Sequence, residues 1–392
     1  MIIRYRFIFS VVNAIISLVI FFLIQKSHIL PGNTSKLFYL GPIIKEATQS
    51  HNEVSIQKYR IINTSYDRML VDHYQNINGY IYPKGNIDIT DREKLLDLFR
   101  LLNKTNSYKY VICNLVFDQA SPIDDSLSNE MLKTKRMVVA RGNPNQSIVS
   151  GYENLNYGLA SIYMPSGNLS KYRLLEKSDS VILKSIPLKM YEDLNQTNIK
   201  YGFFLSKLNN SYIFNDYTVE KFVEPSTSSI LDLGRIVIRK NVEFDELTRD
   251  KIILIGDFYN NSKKTIYSSK TPSLLILLNA YLSIENGSLT ISLSLILFLF
   301  SIFFFFSYLI FTPQSKRKNL IFRLPIIGSL IGGAKYIISL ALIGILIYFV
   351  FGNNLNLIYM GLFFYLENVI INNKYHLKRV KTRFNLDKKK HY

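Results

Sequence analysis

Residues 250–261 read DKIILIGDFYNN. A polar start leads into long or branched aliphatic residues, Ile252 to Ile255, which stop abruptly at Gly256 and Asp257. A run that is apolar on both alternating faces predicts a fully buried strand, the kind found in parallel sheets. In open α/β sheets the carboxyl end of such a strand borders the crevice where ligands bind. Gly256 and Asp257 are therefore candidate ligand contacts. Gly256 is expected to permit a backbone turn or the close approach of a helix, and Asp257 to cap a turn. The next residues, FYNNSKK, carry neither a G-x-G-x-x-G nor a P-loop pattern, so no phosphate cradle is expected. Nothing in the stretch supplies catalysis.

Working outward, TDREKLLDLFRLLN begins at Thr90 and predicts a helix. Thr90 and Glu93 have capping-box spacing, and Leu95, Leu98, Phe99 and Leu102 fall on one face. YKYVICNLVF then predicts a buried strand. The following FDQASPIDDSL brings Asp118, Asp124 and Asp125 close together in sequence, and all three are candidate ligand contacts. Ser121 is expected to cap a second helix, with Pro122 in its first turn and both acids at its positive end. Adjacent acids suit general acid–base chemistry, but at a helix start they are more simply dipole partners. Met137 to Ala140 predicts another strand, and a strand–helix–strand unit implies a parallel pair.

The middle of the chain is less regular. NYGLASIYMPSGNLSKYRLL, starting at Asn156, reads as a hairpin turning at PSGN. GRIVIRK, from Gly234, reads as a strand, and FDELTRD as a short helix. KTPSLLILLNAYLSIENG reads as a helix over 272–286 that runs directly into an apolar span. Asn279 within it is a candidate ligand contact. No repeat of 20–50 residues appears. The fold class expected is a mixed α/β extracytoplasmic domain with transmembrane helices, one before it and three after.

Arg6 to Ile24, Leu289 to Phe311 and Ala334 to Phe351 are strongly apolar, and Leu357 to Ile371 is apolar except for Glu367. From Lys26 to Ser288 the chain carries 32 basic and 27 acidic side chains. The remainder carries 15 basic residues against Glu367 and Asp387 alone. The net charge of +18 thus lies beside apolar segments, the pattern of the positive-inside rule and not of a nucleic-acid-binding face. It places the N-terminus, the loop with Lys316, Arg317, Lys318 and Arg323, and the tail in the cytoplasm. The expected organisation is a first span over residues 1–25, an outer domain over 26–288, spans near 289–311, 334–351 and 355–371, and a basic tail over 373–392. QKSHILPG after the first span lacks the small residues of a signal-peptide cleavage site. Lys335 and Glu367 sit near the cytoplasmic ends of neighbouring spans, about 6 Å apart in depth, and form a candidate ion pair.

The single cysteine, Cys113, lies in an apolar run and excludes an intrachain disulfide. It is expected to be a small core residue. Five scattered histidines offer no zinc-ligand spacing, and no metal or cofactor is expected.

Three segments together resemble a known family. The helix before YKYVICNLVF with FDQASPIDDSL, then DKIILIGDF, then TPSLLILLNAYLSIENG are similar to successive signatures of the CHASE domain, type 2. That module is an extracellular sensory domain associated with bacterial cyclases, histidine kinases and serine/threonine kinases. The resemblance covers residues 30–290 and extends to the layout of one span before and three after. Asn114 stands where the family usually has an acid, Ser273 where it has Gly, and Leu277 where it has His. Family members typically continue into a cytoplasmic effector, whereas only a short basic tail follows here.

The resemblance implies a multi-pass protein of the bacterial cytoplasmic membrane, not an enzyme. It would sense outside and pass a signal to a separate cytoplasmic effector. Other expected partners are the lipid bilayer and a second copy of the chain; nucleic acid is not expected. A structural or scaffolding envelope protein is the alternative reading.

Overall fold

The structure, a computed structural model, describes residues 2–26, 43–44, 58–77, 80–142, 148–160, 168–169, 172–178, 181–203, 205–208, 211–217, 219, 229–238, 241–265, 268–287, 290–312, 334–355 and 357–371. Its centre is a six-stranded parallel sheet. In chain order the strands are β1 (Tyr59–Asn63), β2 (Tyr110–Cys113), β3 (Met137–Arg141), β4 (Tyr157–Leu159), β5 (Ile230–Asp232) and β6 (Ile252–Gly256). In space they run β5-β1-β6-β2-β3-β4. The decisive stretch, β6, pairs in parallel with β1 and β2. All its residues are buried, as an apolar run with helices on both faces requires.

The pleat divides the core. Ile62, Val111, Cys113, Val139, Ile253 and Ile255 face helices α2 (Arg92–Thr105), α3 (Asp124–Lys133), α5 (Leu233–Val237) and α6 (Asn241–Thr248). Tyr59, Ile61, Ile112, Val138 and Leu254 face α4 (Ile186–Asn195) and α7 (Ser273–Glu285). The result is a helix–sheet–helix sandwich. Leu95, Leu98, Phe99 and Leu102 are the core face of α2, as their spacing predicts. Helix α7 is buried almost all round, which explains its lack of a polar face.

Helix α1 (Ile2–Lys26) precedes this domain and α8 (Leu293–Phe311), α9 (Ala334–Phe351) and α10 (Ile358–Ile371) follow it. Tyr5–Gln25 and Leu293–Phe311 are long and apolar enough to cross a membrane. Helices α9 and α10 are apolar and shorter. At ~1.5 Å per residue α10 reaches about 21 Å, less than a straight crossing needs. Phe21, Leu299, Phe303, Phe306, Tyr336, Leu340 and Phe364 form the core between these helices. A Cβ on Gly361 would lie 2.6 Å from the Ile337 Cα, so glycine is what lets α9 and α10 approach. Phe7, Phe9, Leu297, Phe305, Leu342 and Phe349 point outward, giving the bundle an apolar exterior as well.

Several local expectations change. Asp91, not Thr90, caps α2, accepting from the Glu93 and Lys94 amides, because Thr90 still belongs to the hairpin Arg68–Ile77/Tyr80–Thr90. Ser121 does not cap α3 and Pro122 lies before its first turn: the N-cap is Ile123, with no side-chain cap bond, while the Asp124 carboxylate accepts from the Ser121 amide at 2.7 Å and Ser121 Oγ accepts from Ile123 N–H at 3.4 Å. The hairpin expected after Asn156 does not form as such. Tyr157–Leu159 joins the central sheet beside β3, and Tyr172–Arg173 pairs with Asp216–Tyr217. Most of PSGN lies outside the described residues. GRIVIRK is not a strand: α5 takes its first four residues, turning Ile236 into the core. The basic tail and the 313–323 loop also lie outside the described residues.

The largest change concerns the exit from the domain. Helix α7 does not run on into α8. Asn286 and Gly287 (φ 67°) end it, and Thr290–Ile291 then pairs with Tyr212–Ile213. This adds an edge to a small antiparallel sheet that also contains Ile199–Lys200 and Leu205–Leu208. Leu205 and Phe214 of that sheet pack on the helical bundle, with the Phe214 ring 6.0 Å from Phe22 of α1.

Candidate functional site

Two polar clusters lie beyond the carboxyl ends of the central strands. The first is sealed. Arg92 opens α2 and Asp124 opens α3, and both are buried. The Arg92 guanidinium sits 4.2 Å from the centre of the Phe117 ring, and Phe117 stacks on Tyr152 at 4.5 Å. Asp124 Oδ1 accepts the Tyr152 hydroxyl at 2.7 Å and lies 3.8 Å from Arg92 Nε. Arg92 Nε itself has no hydrogen-bond partner. The attraction is therefore Coulombic, reinforced by a cation over an aromatic face. Burial pulls the arginine below its ordinary pKa, while Tyr152 and Asp124 oppose that shift. Burial, and then the bond to Asp124, push the Tyr152 hydroxyl up.

Asp124 and Asp125 thus part company. Asp124 is consumed by Tyr152, Ser121 and Arg92, whereas Asp125 and Asp118 are exposed. The structure does not bring the adjacent acids together as an acid–base pair. Cys113, below this cluster, is fully buried, and burial pushes its thiol up to about 12. It is an inert core residue under ordinary conditions.

The second cluster is open on one side. It forms where β1 and β6 end together, with Asn63 opposite both Gly256 and Asp232. Asn63 is fully buried and organises the turn. Its Nδ2 donates to Asp232 Oδ1 at 2.9 Å. Its Oδ1 accepts from the Ser65 amide at 3.1 Å, the Phe258 amide at 3.2 Å and the Ser65 hydroxyl. Ser65 Oγ also contacts Asp257 Oδ1 and accepts from the Tyr259 amide at 3.1 Å. One hydroxyl proton therefore serves two close acceptors. Asp257, half-buried, caps its own turn by accepting from the Asn260 amide at 2.9 Å. Beside it, buried Asp67 accepts from Lys94 Nζ at 2.7 Å and from the Gly234 amide at 3.1 Å. That bond to Asp67 raises the Lys94 pKa. Gly256 has an ordinary backbone; its value is close packing, since a Cβ there would lie 3.3 Å from Asn114 and from Leu274 of α7.

The other expected residues fall elsewhere. Asn279 is buried within α7, where its carbonyl accepts from Ser283 Oγ at 2.8 Å. Glu367 Oε2 accepts from Asn13 Nδ2 at 3.0 Å, and Asn13 also donates to Ser307 Oγ at 3.0 Å. Lys335 Nζ lies 5.2 Å from the Tyr336 ring centre. Glu367 therefore links α10 to α1 through the neutral amide of Asn13, and Asn13 in turn links α1 to α8. Among the described residues no group of three His, Cys, Asp or Glu side chains converges as a metal site.

Asn63, Ser65, Tyr66, Tyr259, Arg92 and Asn13 were not singled out from sequence. A signal for the first three exists: RIINTSYD, residues 60–67, is another apolar run that stops at polar residues, like DKIILIGD. Chain similarity adds nothing to this picture, because no protein-family model, curated protein or solved structure matches the chain.

Proposed function

We propose that this is a membrane-anchored sensor or signalling protein whose α/β domain lies outside the cytoplasm and acts on a separate cytoplasmic partner. The observation that carries this reading is the path from the sheet to α8. Helix α7 packs along the sheet that bears the open cluster, with Leu274 against Gly256. Its end is pinned at three points. Thr290 Oγ1 donates to the Gly287 carbonyl at 2.8 Å, Thr290–Ile291 joins the small sheet, and Asn353 Nδ2 donates to the Thr290 carbonyl at 3.0 Å. Asn353 belongs to the turn between α9 and α10. A displacement of α7 therefore has stiff routes to α8 and to the α9–α10 turn. Signalling further requires a ligand that binds two states with different affinity.

The reading is tested by crosslinking in cells and purifying the intact protein in mild detergent, beside a variant truncated at Asn373. Recovery of a kinase, cyclase or other cytoplasmic effector with the intact chain alone supports it. Recovery of envelope proteins only, equally with both, replaces it with the scaffold reading. Inserting Gly-Gly after Gly287 is expected to abolish coupling to a captured effector; unchanged coupling removes the α7–α8 route.

A further inference from the structure

We propose that Tyr66, Tyr259 and the Asp257 carboxylate form a binding platform for a neutral oligosaccharide. This names a stimulus class for the open cluster; its role in signalling rests on the preceding reading, while the binding itself does not.

Tyr66 and Tyr259 are 69% and 51% exposed, yet they are not scattered surface residues. They extend from the two turns that the Asn63 and Ser65 network ties together, and their rings lie 5.6 Å apart at 34°. Phe258, buried beneath, meets the Tyr259 ring edge to face at 5.2 Å. A buried amide, a buried hydroxyl and a buried ring thus hold two large amphipathic rings out to solvent. Such preorganisation lowers the entropy lost on binding. The site also lies beyond the carboxyl ends of two central parallel strands, where open sheets place ligands.

The chemistry selects the ligand class. A 5.6 Å ring separation leaves no slot between the rings, so a ligand lies across them. An enclosed cation or an intercalated base does not fit that shape; the apolar C–H face of a pyranose does. Both hydrogen bonds that Asp257 receives among the described residues go to Oδ1, leaving Oδ2 as an acceptor for hydroxyl groups. Arg68, two residues beyond Tyr66 and exposed with it, is paired with Asp88, donating through Nε to its carboxylate at 3.0 Å and through a second nitrogen to its backbone carbonyl at 3.1 Å. An anionic ligand is disfavoured beside the Asp257 carboxylate, because the cations at this turn are committed to other acids: Lys94 to Asp67 at 2.7 Å and Arg235 to Asp232 at 3.7 Å. A tyrosine ring with a polar tip meets both the apolar face and the hydroxyl rim of a sugar.

The test uses the full chain in phospholipid nanodiscs, which avoid sugar-headed detergents. Chitotetraose and cellotetraose are titrated by calorimetry and by saturation-transfer NMR. One of them is expected to bind, with Tyr66→Ala and Tyr259→Ala each weakening it about tenfold or more. Tyr66→Phe retains binding, and Ile238→Ala, at a highly exposed site elsewhere, leaves it unchanged. Absence of binding by both sugars overturns the proposal. So does binding that survives both tyrosine-to-alanine changes, or that tetramethylammonium displaces. Sugar binding without any effector in the crosslinking experiment refutes the signalling reading and leaves the platform standing; an effector without sugar binding does the reverse.

Discussion

Asp124 and Asp257 stand near the carboxyl edge of the same sheet, and they differ in what surrounds them. Around Asp124 two aromatic rings and a guanidinium close the space, and its oxygens are taken by Tyr152 and the Ser121 amide. Around Asp257 the partners among the described residues are a serine hydroxyl and one turn amide, both on Oδ1, and the adjacent rings face solvent. The first arrangement fixes how α2 meets α3. The second fixes two loops and leaves a surface. A carboxylate at a strand or helix end is therefore no site by itself; whether its neighbours cover it decides.

The comparison breaks most readily at the sealed cluster. Asp124→Ala strands a buried guanidinium, and the expected loss is about 3–5 kcal/mol in denaturant unfolding of the domain. Asp125→Ala, one residue on, is expected to stay within about 0.5 kcal/mol. Similar losses for both would mean the cluster is not sealed. The double change Arg92→Met with Asp124→Leu should recover much of the loss, since it removes both charges.

Next in size is Asn63→Ala, which leaves the buried Ser65 and Phe258 amides without an acceptor; about 1–3 kcal/mol is expected, with weaker sugar binding. A stability loss with intact binding would separate the network from the platform. The helical bundle gives a third, smaller test. Glu367→Leu removes one of the two acceptors of Asn13, the one on α10; hydrogen bonds between apolar helices average about 0.6 kcal/mol, so a modest fall in disulfide yield between engineered cysteines on α1 and α10 is expected. Glu367→Gln should restore it. Full yield with Leu would show that apolar packing alone docks α1. The smallest effect belongs to Tyr66→Ala and Tyr259→Ala, each within about 0.5 kcal/mol of wild-type stability. A large loss at either would make the rings structural and not a surface for a ligand.

The sequence by itself determined the elements whose chemistry is local. The uniform aliphatic run at Ile252–Ile255 specified a buried parallel strand, the spacing of Leu95, Leu98, Phe99 and Leu102 specified the core face of α2, and sustained hydrophobicity specified α1 and α8. It named Asp257 and Gly256 at the crevice. It missed Asn63 and Ser65, although RIINTSYD repeats the pattern of apolar residues ending in polar ones. Other assignments lay beyond one sequence because they depend on contacts far along the chain. Whether Ile236 enters a strand or a helix depends on the core between α2 and the sheet. Whether α7 continues into α8 depends on an edge pairing with Tyr212, some eighty residues back. Only the tertiary structure decided which acids are covered, because covering Asp124 took Arg92, Phe117 and Tyr152 from three separate segments, while Tyr66 and Tyr259 stay exposed.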